Sequence, residues 1–321
     1  MKPIVSITNA FPEAGLEVLQ PHCELYLNDS GLPPDQEKLK IMADASHGMI
    51  TYLSDKIDAN VIDAGGKLKV ICNYAAGFNN IDCNRASERK IWVTNTPGVL
   101  HETTADLTWA MILAAARKIV QADRFTREKK FRGWEAKLFL GHDIYRKTLG
   151  IVGCGEIGRA VARRALGFDM KVLYFQRNRL DLATEKKYNL TFVSFQQLIE
   201  QSDFITLHLP LNENSKYLFG EKEFRLMKPT AVFLNAARGK VVDDIALLEA
   251  VKNNEIAAAA LDVYENEPEI VDGLLDEDNI LVLPHIGSGS YETRDRMAVL
   301  VAENALDAIQ GKKPRSAVNQ F

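Results

Sequence analysis

The feature of this sequence that most constrains its fold is a glycine-rich turn between an apolar strand and a helix. The run Leu149–Gly158 reads LGIVGCGEIG and places Gly153, Gly155 and Gly158 in the spacing G-x-G-x-x-G. The first glycine permits a tight turn, the second lets the backbone approach a pyrophosphate, and the third lets the helix pack close to the strand. The helix N-terminus then presents free N–H groups to phosphate oxygens. A second strand, Lys171–Phe175, follows in register, so the run predicts a dinucleotide-binding βαβ unit.

Composition excludes several classes of function. The length of 321 residues suggests about two domains, and 46% hydrophobic with 26% charged residues is typical of a soluble globular protein. A net charge of −4 argues against nucleic acid or an anionic membrane as partner. The N-terminus lacks the long apolar stretch of a signal peptide, and the most apolar helix, near Trp109, is too short to cross a membrane. The four cysteines form no C-x-x-C pair and no Cys/His cluster, so we expect no metal site and a reduced, cytoplasmic protein.

Apolar strands alternate with helical segments through both halves of the chain, which predicts parallel sheets covered by helices. Thr96-Pro97-Gly98 interrupts this alternation. We expect one long helix, His101–Val120, to lead into a second domain, and the helix Tyr291–Gln310 to return to the first. The predicted fold class is α/β with two doubly wound parallel-sheet domains. A Rossmann nucleotide-binding domain (residues 100–288) is inserted in a flavodoxin-like substrate domain (residues 1–99 and 289–321), with a cleft between them.

Three polar residues follow predicted strands of the second domain, at the edge where open parallel sheets bind ligands. They are Arg238, Glu267 and His285. Each residue also has an ordinary explanation when it is taken alone. Arg238 would form a surface ion pair, Glu267 would be a solvated carboxylate, and His285 would be a loop histidine. Together they suit reduction of a 2-keto acid, because an arginine binds a carboxylate bidentately and a histidine can give a proton to the new alkoxide. A carboxylate beside the imidazole orients it and favours its protonated form.

The end of the second strand bears on the choice of nicotinamide cofactor. NAD-dependent enzymes usually place an acidic residue about 20 positions past the glycines, to bind the ribose 2′-OH. This chain has Gln176, Arg177, Asn178 and Arg179 there, and the first acidic residue is Asp181. Arg177 can pair with a 2′-phosphate, helped by Asn178 and, as a further candidate, Arg179; the alternative is that both arginines are solvated loop charges. The sequence favours NADP(H), with weaker use of NAD(H).

Several motifs together resemble the D-isomer-specific 2-hydroxyacid dehydrogenases nearly from end to end. They are Asn73–Asp82 (NYAAGFNNID), Val93–Val99 (VTNTPGV), Gly153–Gly158 (GCGEIG), Phe233–Gly239 (FLNAARG), Leu261–Pro268 (LDVYENEP) and Pro284–Ser288 (PHIGS). Within the family the chain is most similar to glyoxylate/hydroxypyruvate reductases. Residues 131–143 are similar to the loop before their Rossmann domain, and a regulatory domain of the phosphoglycerate dehydrogenase type is not expected.

The resemblance implies roles for individual positions. Arg238 would bind the substrate carboxylate and keto group, His285 would be the acid in reduction and the base in oxidation, and Glu267 would pair with His285. The backbone at Ala76 and Gly77 would hold the carboxylate. The remaining implied positions are Leu53 and Ser288 near the substrate, Asp262 at the nicotinamide amide, and cofactor contacts at Thr104, Glu156, Ile157, His208, Pro210, Ser215, Ala237 and Gly287.

The resemblance also implies a homodimer formed through the inserted domain. The apolar helix near Trp109 would suit such an interface, although core packing explains that helix equally well. Two alternatives to a glyoxylate/hydroxypyruvate reductase stay open: another enzyme of the family, such as a 2-ketogluconate reductase or D-lactate dehydrogenase, and a non-catalytic nucleotide sensor.

Overall fold

The computed structural model describes residues 2–321, which divide into two compact units. Unit 1 contains the residues up to Leu100 together with Ser288–Phe321, and unit 2 contains His101–Gly287. Of the helices between residues 2 and 321, none is both long and apolar enough to span a membrane.

Unit 1 is built on a five-stranded parallel sheet. Its strands are β1 (Ile4–Ile7), β2 (Glu24–Leu27), β3 (Gly48–Thr51), β4 (Val70–Asn73) and β5 (Trp92–Thr94), in the spatial order β2-β1-β3-β4-β5. Its helices are α1 (Glu13–Leu19), α2 (Gln36–Ala45), α3 (Ala59–Ala64), α4 (Cys83–Glu88) and, from the end of the chain, α12 (Tyr291–Ile309). This strand order is the flavodoxin-like one, as predicted.

Unit 2 is built on a seven-stranded parallel sheet. Its strands are β6 (Thr148–Val152), β7 (Lys171–Phe175), β8 (Leu190–Phe192), β9 (Phe204–Leu207), β10 (Val232–Asn235), β11 (Ala258–Leu261) and β12 (Ile280–Val282). Its helices are α5 (His101–Arg117), α6 (Ile119–Arg127), α7 (Glu156–Ala165), α8 (Leu182–Tyr188), α9 (Phe195–Gln201), α10 (Glu221–Leu226) and α11 (Asp244–Lys252). The order β12-β11-β10-β9-β6-β7-β8 makes it a Rossmann sheet, and the predicted α/β class with two doubly wound sheets is confirmed.

The central strands of the unit 2 sheet are mostly apolar because helices cover both faces of that sheet. In β9, β10 and β11 every residue is buried. Two apolar clusters flank the unit 2 sheet, one under α9, α10 and α11 and the other under α5 and α7. Such burial leaves the loops at the carboxyl ends of the strands on a rigid support.

The prediction of a single helix over His101–Val120 is wrong. The segment forms two helices, α5 and α6, with a break at Lys118. Lys118 has a left-handed backbone (φ 53°). The break is set by a distant segment, since His142 donates its N–H to the Ala116 carbonyl (2.9 Å). Gly141 lies against the same carbonyl, so closely that a Cβ there would sit 2.1 Å from its oxygen.

Core packing accounts for the helix near Trp109. The indole is buried, stacks on Phe168 at 4.6 Å and donates its Nε1–H to the Val161 carbonyl (3.0 Å). The suggestion that this apolar face serves an interface is therefore not needed to explain it.

Candidate active site

The glycine turn fits a bound dinucleotide. Gly153 has φ +90°, and a Cβ there would lie 2.6 Å from the His208 carbonyl oxygen; a Cβ on Gly158 would lie 2.5 Å from the Gly153 oxygen. Both positions therefore exclude a side chain. A Cβ on Gly155 would meet no atom within 4 Å, so the backbone is open where a pyrophosphate would approach. Glu156 and Ile157 begin α7 directly after Gly155, which caps the helix without a side-chain hydrogen bond.

The side chains that follow β7 differ in whether they already have a partner within the protein. Gln176 folds back on the glycine turn, accepting the Cys154 N–H (3.1 Å) and donating to the Asn178 carbonyl (2.6 Å). Arg179 is engaged by a bidentate ion pair with Glu185 (2.8 Å for both bonds). Arg177 is exposed and has no hydrogen-bond or ion-pair partner within residues 2–321. Of the two arginines, Arg177 alone is available to a ligand.

The loop after β9 carries His208, Pro210 and Ser215. Burial lowers the pKa of His208 to about 3, so the ring is neutral at physiological pH. Its Nε2 lies 3.0 Å from the Thr206 hydroxyl, whereas its buried Nδ1 has no partner among residues 2–321. Ser215 donates to the Pro210 carbonyl (2.7 Å) and fixes the loop.

Asp262 follows β11 and holds the loop that begins after β12. One of its oxygens accepts the Ile286 N–H (2.7 Å), and burial raises the pKa of this carboxyl above its ordinary value. A Cβ added to Gly287 would lie 3.3 Å from Asp262 and 3.5 Å from Thr104, so these three predicted cofactor positions cluster together. Ala237 lies in the neighbouring turn after β10, where its N–H is bound by the Asn235 side chain (3.0 Å).

The structure brings His285 and Glu267 into direct contact, with Nδ1 and Oε2 2.7 Å apart. Burial raises the pKa of Glu267, but the hydrogen bond and charge of His285, and Arg238 further away, outweigh burial and hold the pKa below its usual value. Burial lowers the pKa of the half-buried Arg238, and the Glu267 charge opposes that effect. His285 has a left-handed backbone (φ 56°), which is uncommon outside glycine. Because Glu267 occupies Nδ1, the ring presents Nε2 to a reactant.

The loop that bears Glu267 is held by residues that the sequence analysis missed. Tyr264 donates its hydroxyl to the Leu283 carbonyl (2.7 Å) and its N–H to Glu267 Oε1 (3.0 Å). Asp244, at the start of α11, accepts the Glu265 N–H (3.0 Å). Gly239 packs on the Tyr264 backbone, where a Cβ would lie 1.7 Å from the carbonyl oxygen. An acidic residue in the first turn of a helix is too common for the sequence to have singled out Asp244.

Unit 1 holds the predicted substrate residues Leu53, Ala76 and Gly77 in the loops after β3 and β4, and Ser288 at the point where the chain returns to it. The N–H groups of Ala76 and Gly77 donate to no acceptor among residues 2–321, so they are available to an anion. Across the same residues, no cluster of three or more His, Cys, Asp or Glu side chains is placed to hold a metal ion.

Known proteins are similar to this chain in sequence and fold. Residues 109–287 match the family model described as D-isomer specific 2-hydroxyacid dehydrogenase, NAD binding domain. A glyoxylate reductase of Korarchaeum cryptofilum is 46% identical over 100% of this chain and 97% of its own length. The solved structure of a glyoxylate reductase from Paecilomyes thermophila is 33% identical, with a TM-score of 0.86 over 99% of this chain and 98% of that one. The solved structure of an NADPH-dependent glyoxylate/hydroxypyruvate reductase from Sinorhizobium meliloti, in complex with NADP and malonate, is 27% identical, with a TM-score of 0.86 over 99% of this chain and 97% of that one.

Proposed function

Because this chain belongs to the D-isomer specific 2-hydroxyacid dehydrogenase family, we propose that it reduces small 2-keto acids, above all glyoxylate to glycolate and hydroxypyruvate to D-glycerate. The observation that carries the proposal is the His285–Glu267 pair, 2.7 Å apart, in the same unit as Arg238. Relatives named as glyoxylate reductases, 46% identical over the whole chain, support the substrate class.

In this proposal the reacting groups divide the chemistry among themselves. A bound reduced nicotinamide supplies the hydride. Arg238 binds the carboxylate and polarises the keto oxygen. His285, oriented through Nδ1 by Glu267, donates the proton on Nε2 to the oxygen as it becomes an alkoxide, and takes a proton back in the oxidation direction. The N–H groups of Ala76 and Gly77 bind the carboxylate, and Asp262 accepts from the carboxamide of the nicotinamide.

The test is a panel of 2-keto acids assayed with NADPH and NADH, reported as kcat/KM. We expect glyoxylate and hydroxypyruvate to give high values and pyruvate a low one. A highest value for pyruvate or 2-ketogluconate would instead assign the chain to another branch of the family. Cofactor binding without turnover of any 2-keto acid would favour a nucleotide sensor.

We also propose that NADPH is the preferred cofactor. The position where an acidic residue would repel a 2′-phosphate is Gln176, and the exposed Arg177 beside it is unpaired within residues 2–321. A charge-assisted hydrogen bond of this kind contributes about 1.5–3 kcal/mol, or roughly 10- to 150-fold in affinity.

The matched pair Arg177→Ala and Arg179→Ala tests this preference. The first should raise the KM for NADPH by roughly 10-fold or more and leave NADH nearly unchanged. The second removes an arginine already paired with Glu185 and should lower stability without changing the ratio of the two cofactors. Gln176→Asp should lower NADPH use through repulsion and give NADH a partner for its ribose. A wild type that prefers NADH, or equal weakening of both cofactors by Arg177→Ala, would overturn the proposal.

We further propose a homodimer formed through the segment that joins α5 to β6. Six apolar side chains of this segment are exposed, which is more than scattered surface residues usually show in so short a stretch. They are Ile119, Val120, Phe131, Trp134, Leu140 and Tyr145. We name this set the arm surface. A second copy of the chain is the partner that the family resemblance favours.

A further inference from the structure

The loops after β3 and β4 leave their sheet as neighbours. Thr51 and Asn73 are the last residues of β3 and β4 in register, and the Tyr74 N–H donates the next backbone bond between the two segments, to the Thr51 carbonyl (2.7 Å). Leu53 follows the first strand, and Ala76 and Gly77 follow the second. Beyond Tyr74 the two backbones next pair at Ile57, which donates its N–H to the Asn80 carbonyl (2.8 Å) and accepts the Asp82 N–H (2.9 Å). The parts of the proposed carboxylate site that contain Leu53, Ala76 and Gly77 lie between these two points of backbone pairing.

Two asparagines bridge these segments. Asn80 donates from its amide nitrogen to the carbonyls of Tyr52 and Asp55 (2.9 Å each), on either side of Leu53. Its amide oxygen accepts from Asn73 (3.1 Å). Asn73 is fully buried, also donates to the Gly77 carbonyl (2.7 Å), and accepts from the Thr51 hydroxyl (3.0 Å). One chain of hydrogen bonds thus runs from the Leu53 loop to the Gly77 loop.

Three consecutive carbonyls of the loop after β4 accept hydrogen bonds. The Ala75 oxygen accepts the Thr96 N–H (2.9 Å), the Ala76 oxygen accepts the Asn95 amide (2.7 Å), and the Gly77 oxygen accepts Asn73. A trans peptide unit is planar, so fixing a carbonyl aims the N–H of the following residue in the opposite direction. The N–H groups of Ala76, Gly77 and Phe78, which donate to no acceptor within residues 2–321, are therefore oriented by these three hydrogen bonds.

We propose that Asn80, acting through Asn73, is a positioning residue for the substrate carboxylate: it sets the distance between the Leu53 loop and the Gly77 loop. This inference rests on the proposed function, since it assumes that those loops bind a 2-keto acid. Preorganised donors matter because a small displacement of a binding group can cost up to about 100-fold in rate.

The test compares Asn80→Ala with a matched control, Asn319→Ala. Asn319 is also a bridging asparagine of unit 1 with three hydrogen bonds, to the Val93 N–H (2.8 Å), the Ile91 carbonyl (2.9 Å) and the Ser87 hydroxyl (3.1 Å). Asn80→Ala should raise the KM for glyoxylate by about 10-fold or more while the Kd for NADPH stays within about 2-fold. Asn80→Asp should raise the KM further, because it sets a negative charge against two carbonyl oxygens and an anionic substrate. Asn319→Ala should lower the Tm without changing the KM.

Hydrogen exchange gives a readout that does not depend on turnover. The exchange rates to measure are those of two backbone amides beside the bridge. The Asp55 N–H donates to the Tyr52 carbonyl (3.0 Å), and the Ile81 N–H donates to the Phe78 carbonyl (3.1 Å). Asn80→Ala should speed exchange at both, and Asn319→Ala at neither. If glyoxylate is not a substrate but Asn80→Ala speeds exchange at both amides, the proposed function is wrong, whereas the role of Asn80 in holding the two loops together is supported. Unchanged exchange at either amide, or a glyoxylate KM no different from that of Asn319→Ala, would overturn the proposal.

Discussion

His285 uses its two ring nitrogens differently, and this difference is the central feature at the scale of single residues. Nδ1 is committed to Glu267 at 2.7 Å, so only Nε2 is left to exchange a proton with a reactant. The backbone on the C-terminal side of His285 is held as well, because the Ile286 N–H is bound by Asp262 at 2.7 Å. A ring fixed at one nitrogen and at its backbone is well suited to deliver a proton in one direction.

Replacing His285 with alanine should abolish most catalysis and spare cofactor binding. We expect kcat for glyoxylate to fall by about 100-fold or more, the usual range for a general acid, whereas the Kd for NADPH from fluorescence titration stays unchanged. His22, an exposed histidine in the turn after α1, provides the control variant His22→Ala. Retention of more than half of the activity in His285→Ala would remove His285 from the chemistry.

Glu267→Gln should shift the pH dependence of the reaction. The hydrogen bond and charge of His285 hold the pKa of Glu267 below its usual value, so Glu267 is a carboxylate at neutral pH and Glu267→Gln removes a negative charge beside the proposed proton donor. Without it, the decline of kcat/KM for reduction with rising pH should begin at lower pH, and activity at neutral and alkaline pH should be lost first. Glu265→Gln, in the same loop, is the control. Superimposable pH profiles for wild type and Glu267→Gln would contradict the assignment.

At the scale of elements, the N-terminus of α11 supports the loop that carries Glu267. Asp244 is buried and accepts the Glu265 N–H at 3.0 Å with one oxygen, whereas its other oxygen has no partner among residues 2–321. Burial, with the nearby charges of Glu265, Asp243 and Glu267, raises the pKa of Asp244 to about 6. The helix therefore contributes an acid that is protonated more readily in the folded protein than in the unfolded chain.

Asp244 should make folding stability depend on pH. The folded protein keeps the proton up to a pH of about 6, whereas the unfolded chain releases it near 3.8, so this contribution to stability is lost as the pH rises through that window. Asp244→Asn removes the effect, and its free energy of unfolding relative to wild type should rise by about 2 kcal/mol between pH 4 and pH 7.5. Urea unfolding at several pH values measures the difference. Asp243→Asn, at the N-cap where asparagine serves as well, should show a small and constant difference, and the same constancy in Asp244→Asn would refute the linkage.

Local patterns predict the elements well and their tertiary partners poorly. The alternation of apolar strands and helices was sufficient for both parallel sheets, and strand ends pointed to Arg238, Glu267 and His285. The break at Lys118 could not be read from its neighbours, since it depends on Gly141 and His142. Asn80 stands within the motif Asn73–Asp82, but its role was not predictable for a similar reason. Its partners Tyr52 and Asp55 lie more than twenty residues away, in a loop for which the sequence analysis found no motif.

At the scale of the whole molecule, the arm surface sets the expected state of assembly. If a second copy covers it, the double variant Trp134→Ser/Leu140→Ser should run as a monomer in size-exclusion chromatography with light scattering, whereas wild type runs as a dimer. Trp134 is 86% exposed, so its loss should cost the isolated chain little stability. Leu182→Ser, another exposed apolar residue of unit 2, is the control and should remain dimeric. A wild type that is monomeric at micromolar concentration would contradict the dimer.

The return of the chain to unit 1 has a consequence for how the protein is made. The helix α12 packs against α1 and β4 and belongs to the same unit as the residues up to Leu100. During synthesis, unit 2 has wholly emerged from the ribosome once Gly287 is outside, whereas unit 1 still lacks α12. We therefore expect unit 2 to fold before unit 1, in contrast to the usual order, in which the N-terminal domain folds first. Until α12 emerges, β3 and β4 lack the helix that packs on them, so we expect a chaperone to bind the incomplete unit 1.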